Sequence, residues 1–402
     1  MFQSLQGHLR QRGLRALLVV ADAATDPDLV PFAGPVHVRR CFFLLPAEGI
    51  PRFGYFTPME RDEAASTGLA VLTPDQLDVP RWTAQLKSEE ERLAAALGQG
   101  FLLAGVPPGT LALGGHCAAG TLYGACRRLA ADGFDFVPGH DLVRRFRKKK
   151  TEAQAASIRA AAEGTCAALQ RVARVLAAAS VGEGSLLRFE GELLTTGRLR
   201  REIAQELARH GLEQPDGNIV AAGADAGVPH TSGSSERRLE AGEAILVDLY
   251  PHGGMFADCT RTFCVGEAPA ALREAHGKVL EALLLSHQRA RPGVLGSAVE
   301  EEVRTFFRSA GYPASRQEVR GFVHGLGHGV GFELHEEPTF RQGAEPWQGG
   351  LEEGDVFTLE PGLYDPEDGW GVRLEDLVYL GPDGPENLTP LPYDLDPKAW
   401  SR

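Results

Sequence analysis

Five short apolar runs punctuate the first 120 residues: RALLVV at 15–20, CFFLLP at 41–46, RFGYFT at 52–57, LAVLT at 69–73 and TLALGG at 110–115. Each is short, rich in Val, Leu or Phe, and bounded by Gly, Pro or charge, so each predicts a β-strand. Between them, residues 82–98 set Leu86, Leu93 and Leu97 among charges and predict a helix, as does 120–132. Strands interleaved with helices predict a small α/β domain ending near Val143.

From Lys150 the pattern changes. TEAQAASIRAAAEGTCAALQRVARVLAAA predicts one long Ala-rich helix, with Thr151 as N-cap and Glu152 in the first turn. A second helix is predicted over about 195–209 and a strand over 218–223 (NIVAAG). ILVDLYPHGGMFADCTRTF then predicts a hairpin turning at HGG. Helices near 269–290 and 297–310 follow. Helices gather before and between strands rather than alternating with them, so the second domain reads as α+β. A chain of 402 residues exceeds one ordinary core, and the expected division is 1–143 and 150–402.

Apolar content of 43% and charged content of 24% are those of a soluble globular protein, and no apolar run reaches the roughly 20 residues that span a bilayer. The polar, arginine-bearing start makes a secretory signal unexpected. Six cysteines without a CxxC pair read as reduced thiols, and the protein is expected in the cytoplasm. The net charge of −13 is unevenly placed: residues 1–150 carry 18 Lys/Arg against 15 Asp/Glu, the remainder 23 against 39. An acidic second half argues against a nucleic-acid partner, which needs a positive surface. The one basic cluster, RRFRKKK at 144–150, reads as a solvated helix entry or linker. Asp22, Asp26 and Asp28 in ADAATDPDL read as ordinary turn chemistry.

The candidate chemistry lies in the acidic half, where Asp248, Asp258, His328, Glu360 and Glu375 each fall in or at the edge of a predicted strand. Burying four carboxylates and an imidazole among apolar residues is costly unless something positive compensates them. Four oxygen donors and one nitrogen suit hard or borderline divalent cations better than a thiolate-binding metal. The hairpin would let Asp248 and Asp258 face one another. In FVHGLGHGVGFELHE, His324, His328 and His335 stand among Gly325, Gly327, Gly329 and Gly331, which permit close backbone approach. Val330 occupies the third position of a would-be GxGxxG, and HExxH is absent, so neither a dinucleotide fingerprint nor a zincin helix is present.

The contexts D-x-TRTF, HGLGH, LEPGLY and RLED, in that order, resemble the pita-bread metallopeptidases, which include prolidase, aminopeptidase P, methionine aminopeptidase and the metal-free creatinase. The resemblance covers nearly the whole chain. It implies a pita-bread catalytic domain preceded by the smaller RNase H-like α/β domain of the prolidase, aminopeptidase P and creatinase branch. It also implies two divalent metal ions, Mn²⁺ being the first choice and Co²⁺, Zn²⁺ or Fe²⁺ alternatives. Asp248 would be a terminal ligand of one ion, Asp258 and Glu375 would bridge both, and His328 and Glu360 would complete the second. A metal-bridging hydroxide would attack the scissile carbonyl, with Glu360 accepting the proton. His230 in VPHTSG would line the substrate site, and His335 would hydrogen-bond substrate or tetrahedral intermediate. His324 and Arg373 resemble residues of the proline-directed branch.

The activity so implied is exopeptidase cleavage of short peptides at Xaa-Pro bonds, as aminopeptidase or dipeptidase, by a homodimer without membrane or nucleic-acid partners. The alternatives are an exopeptidase of other specificity, non-proline or C-terminal-directed, and a non-catalytic peptide-binding module. Substrate preference is the open point. The aspartates are ten residues apart where common members show eleven, and HEEPTF follows a general peptidase version rather than the HD version of many prolidases. Arg341 could clamp a substrate carboxylate or simply face solvent.

Overall fold

The structure, a computed structural model, describes residues 2–21, 26–343 and 349–401. Asp22 therefore lies outside the described residues. The chain divides into two compact units, Met1–Arg147 and Lys148–Arg402.

In the first unit the five predicted strands and a sixth, Phe134–Pro138, form one sheet, ordered Ala70–Leu72, Arg52–Tyr55, Cys41–Pro46, Ala16–Ala21, Gly109–Gly114, Phe134–Pro138. The two central strands are antiparallel, with Val19 opposite Phe43, and every residue in both is buried. Their alternate side chains feed two separate cores. Leu17, Val19, Phe43 and Leu45 pack on one face; Leu18, Val20, Phe42 and Leu44 pack on the other. A strand covered on both faces loses the polar alternation of a half-exposed one, which is why these segments read as unbroken apolar runs.

The helix expected over 82–98 is two helices, Val79–Gln85 and Glu89–Leu103, broken where Leu86 turns extended. Ser88 Oγ accepts the Glu91 N–H while Glu91 accepts the Ser88 N–H, a capping box that starts the second helix. Leucine spacing runs through this break; the Ser-x-x-Glu signal marks it.

Asp26 accepts the backbone N–H groups of Asp28, at 2.8 Å, and His116, at 2.6 Å, so the turn reading of this region holds and extends to a tie with the loop after Gly109–Gly114. The basic run departs from expectation. Arg147, Lys148 and Lys150 are buried, because each meets a carboxylate: Arg147 reaches Asp28, Lys148 reaches Asp355 at 3.1 Å, and Lys150 reaches Glu336.

The second unit sets the helices Glu152–Ala177, Thr196–Arg209, Ala270–Arg289 and Gly296–Ser309 with three small antiparallel sheets that build the site. Thr151 caps the first helix, its hydroxyl accepting the Gln154 N–H. One sheet orders Asn218–Ala222, Ile245–Leu249 and Cys259–Phe263; a second orders Glu336–Thr339, His328–Gly329, Val356–Leu359, Asp376–Gly381 and Gly384–Asn387. Gly362–Asp365 and Trp370–Arg373 form the third. Seams between sheets are closed by polar bonds: the Glu375 N–H donates to Thr260 O at 3.1 Å, and Thr262 Oγ1 bonds both the N–H and the carbonyl of Arg373. Among the described residues no helix is long and apolar enough to cross a membrane.

Candidate metal centre

Four of the five candidate ligands, Asp258, His328, Glu360 and Glu375, sit where a strand begins, ends or breaks. Asp248 lies inside Ile245–Leu249, opposite Thr260 rather than opposite Asp258. Asp258 immediately precedes its strand, and the hairpin turns through Gly254 at φ +83°, a conformation glycine tolerates. Glu360 follows Val356–Leu359 directly. Glu375 occupies the break between Trp370–Arg373 and Asp376–Gly381. Strand ends let side chains leave the strict up-and-down alternation, so residues from separate sheets can converge.

Ligand atoms of Asp258, His328 and Glu375 all lie within 4.8 Å of one another. His328 Nε2 is 3.6 Å from Asp258 Oδ2 and 3.6 Å from Glu360 Oε1. Asp248 joins through Arg373, whose Nη2 donates to its Oδ2 at 2.5 Å. The five side chains named from the sequence thus stand in one neighbourhood.

Three features fit cations here. First, Asp248 Oδ1 and Asp258 Oδ1 are buried without a hydrogen-bond partner. Such orphaned anionic oxygens are costly unless a cation takes them. Second, His328 Nδ1 lies 3.1 Å from the carbonyl of Gly329, which only an N–H can satisfy. A neutral ring then turns the Nε2 lone pair toward two carboxylates, an arrangement that repels unless a positive ion lies among them. Third, the acids are held away from ionisation. Burial, then the charges of Glu375, Asp248 and Glu360, pushes Asp258 well above the carboxylate range. Burial and then Glu360 and Asp248 do the same to Glu375, and burial lifts Glu360 to about 8. Burial likewise lowers His328 to about 3, with His335 adding to the effect. Divalent cations would remove both penalties together.

His324 Nδ1 is 2.7 Å from the Gly325 carbonyl and so carries the proton, leaving Nε2 to accept from the Tyr364 hydroxyl at 2.9 Å. Tyr364 in turn accepts from Arg373 Nη1 at 3.0 Å. His324 also approaches Glu360, at 3.9 Å. The His335 ring lies 4.1 Å from that of His328, centre to centre, and its residue is exposed. His230 is exposed in the loop that Arg373 Nη1 touches through Pro229 O. Arg341 is exposed beside residues 344–348, which lie outside the described structure.

Two site residues escaped the sequence reading. Thr260 donates to Glu375 Oε2 at 2.6 Å and accepts from Arg373 Nε at 3.0 Å, fixing both. Tyr364 bridges Arg373 and His324. Each stands inside a motif already singled out, DCTRTF and LEPGLY, and that proximity was the available signal.

Comparison with known proteins gives the chain a family and a fold. Residues 156–382 match metallopeptidase family M24. The chain is 35% identical over 212 residues to the Xaa-Pro dipeptidase of Pyrococcus furiosus, covering 51% of this chain and 57% of that protein. It is 30% identical over 277 residues to the probable dipeptidase PepE of Mycobacterium tuberculosis, covering 66% of this chain and 65% of that protein. The matches thus span between just over half and just under two thirds of those relatives' lengths. The crystal structure of the prolidase from Pyrococcus horikoshii OT3 superposes with a TM-score of 0.76 at 23% identity, covering 98% of this chain and 99% of that one, which shows the pita-bread fold.

Proposed function

Because this chain belongs to metallopeptidase family M24, we propose that it is a dinuclear metal-dependent exopeptidase that hydrolyses short peptides at Xaa-Pro bonds. The observation that carries the reading is the lone pair of His328 Nε2 set among Asp258 and Glu360 at 3.6 Å, with Glu375 alongside. Asp248, Asp258, His328, Glu360 and Glu375 would hold two divalent ions, Mn²⁺ being the best match to an oxygen-rich set. Bound there, the ions would acidify a water and polarise the scissile carbonyl.

The remaining work falls to the chain's own side chains. Glu360, whose Oε1 stands 3.6 Å from His328 Nε2, would be the carboxylate that accepts a proton from the attacking water. His335, exposed beside His328, is placed to donate a hydrogen bond to oxygen charge developing on the carbonyl. The Arg373–Tyr364–His324 relay holds His324 as a neutral ring with a fixed tautomer, facing Glu360. A proline in P1′ offers no N–H, so a subsite beside the neighbouring His230, His324 and His335 that asks for none would admit it.

A dipeptidase is favoured over an aminopeptidase by the names of the relatives. A dipeptidase without proline preference is the second reading, favoured by the ten-residue Asp248–Asp258 spacing and by HEEPTF. Kinetics on Xaa-Pro, Xaa-Pro-Yaa and Xaa-Ala with added Mn²⁺ separate these readings. Absence of cleavage at every Xaa-Pro bond would reject the first.

A further inference from the structure

The basic run at 144–150 is not absorbed by the chemistry above, yet its last residue is among the most thoroughly enclosed charges in the second unit. Lys150 Nζ lies 2.5 Å from Glu336 Oε1, and both side chains are 0% exposed. Lys150 Nζ also donates to Lys148 O at 3.0 Å, and Glu336 Oε2 accepts the Glu333 N–H at 3.2 Å. A buried ion pair is a weak stabiliser, since two apolar side chains of similar volume fill the same space without desolvating charge. What the pair has that an apolar filling lacks is direction.

That direction falls on the turn carrying His335. Glu336 is its next residue, and Glu333, held by the same carboxylate, lies two residues before it. Gly331 opens the turn with no side chain; a methyl there would stand 2.6 Å from Lys150 Cε and 2.7 Å from Glu336 Oε1. The Gly331 carbonyl accepts the Phe256 N–H at 2.8 Å, which ties the turn to the approach of Asp258. At its far end the His335 ring lies 4.1 Å from that of His328.

We propose that the buried Lys150–Glu336 pair is a positioning device that sets His335 against the metal centre, so that Lys150 and Glu336 act on catalysis through His335 without touching substrate. The proposal rests on the peptidase reading for its catalytic consequence, and on the turn geometry alone for its structural one.

The test is a double-mutant cycle between the pair and the histidine. Lys150→Met/Glu336→Leu removes both charges while keeping volume, and is combined with His335→Ala. With metal content unchanged, the neutral pair is expected to lower kcat by about 10- to 100-fold, the range for groups that orient a metal site's inner residues, with little change in KM. In the His335→Ala background the same change should lower kcat less than about twofold, because the group being positioned is gone. Equal losses in both backgrounds, or no loss in either, would overturn the proposal. Should the neutral pair not fold, Gly331→Ala takes its place in the cycle, since its methyl presses on both partners and removes no charge. Crystal structures give a readout independent of turnover: the His335–His328 ring distance should lengthen by more than about 1 Å in the variant, and an unmoved ring rejects the device. If wild-type protein cleaves no peptide, the peptidase reading fails while the ring distance still decides the positioning.

Discussion

Arg373 holds Asp248 by one oxygen and leaves the other open: Nη2 donates to Oδ2 at 2.5 Å, while Oδ1 is buried with no hydrogen-bond partner. The same guanidinium reaches Thr260 Oγ1 through Nε and Tyr364 through Nη1. A planar fork with fixed donors thus orients a carboxylate, a threonine that secures Glu375, and a tyrosine that secures His324.

Replacing that fork should cost more than its charge. Arg373→Lys keeps the charge but cannot serve three acceptors in one plane. It is expected to lower metal affinity or kcat by about 10- to 100-fold. Titration calorimetry with Mn²⁺ and steady-state kinetics measure the two effects. Wild-type values for both would mean that Arg373 does not orient Asp248.

Metal removal should inactivate the protein reversibly. Chelation is expected to abolish peptide hydrolysis, and Mn²⁺ or Co²⁺ to restore it. Asp258→Asn and Glu375→Gln should bind less metal and recover no activity. Binding to the native state alone also raises stability, by about 2.7 kcal/mol at one hundred times Kd. Thermal unfolding with and without Mn²⁺ reads this directly, and an unchanged midpoint would argue against a metal centre.

The chelated protein should lose stability as pH rises from 6.5 to 8. Burial raises Glu360 to about 8 from an ordinary 4.5, and raises Asp258 and Glu375 as well. The folded form therefore binds more protons than the unfolded chain in this window, and stability falls with rising pH. His324 and His328, lowered to about 3, act in the opposite sense, but only below their ordinary 6.5. Bound metal replaces the protons, so the metal-loaded protein should not show the decline. Melting curves across the window check it; a metal-free curve that is flat or rising contradicts it.

Gly327→Ala should damage both fold and site. An added methyl would run into the backbone carbonyl of Thr358, which neighbours in the sheet hold in place. Overpacking of this kind costs about 1–3 kcal/mol. Gly327 lies between His324 and His328, so metal binding is expected to weaken along with the melting temperature. Calorimetric unfolding and metal titration of the variant test this.

Much of the fold was legible because its strands and helices carry strong local periodicity. Five of the six strands of the first unit and the four long helices of the second lie where the sequence pattern placed them, and Phe134–Pro138 is the strand it missed. The helix break at Leu86 escaped because leucine spacing persists across it, although the Ser88–Glu91 capping pair was visible. The burial of the 144–150 run escaped for a different reason. Charge alone implies solvent, and only partners distant in sequence, such as Asp355 and Glu336, make burial possible.

By itself the sequence determined the chemical inventory: four carboxylates and an imidazole among apolar strand residues, costly to bury unless something positive compensates them. Tertiary structure alone decided how that inventory is wired. Asp248 faces Thr260 rather than Asp258, Arg373 spends three donors on three elements, and Lys150 is sealed against Glu336. The physical reason is range. Propensity and burial demand act over a few residues and are written locally, whereas hydrogen-bond partners more than a hundred residues apart exist only once the sheets have met.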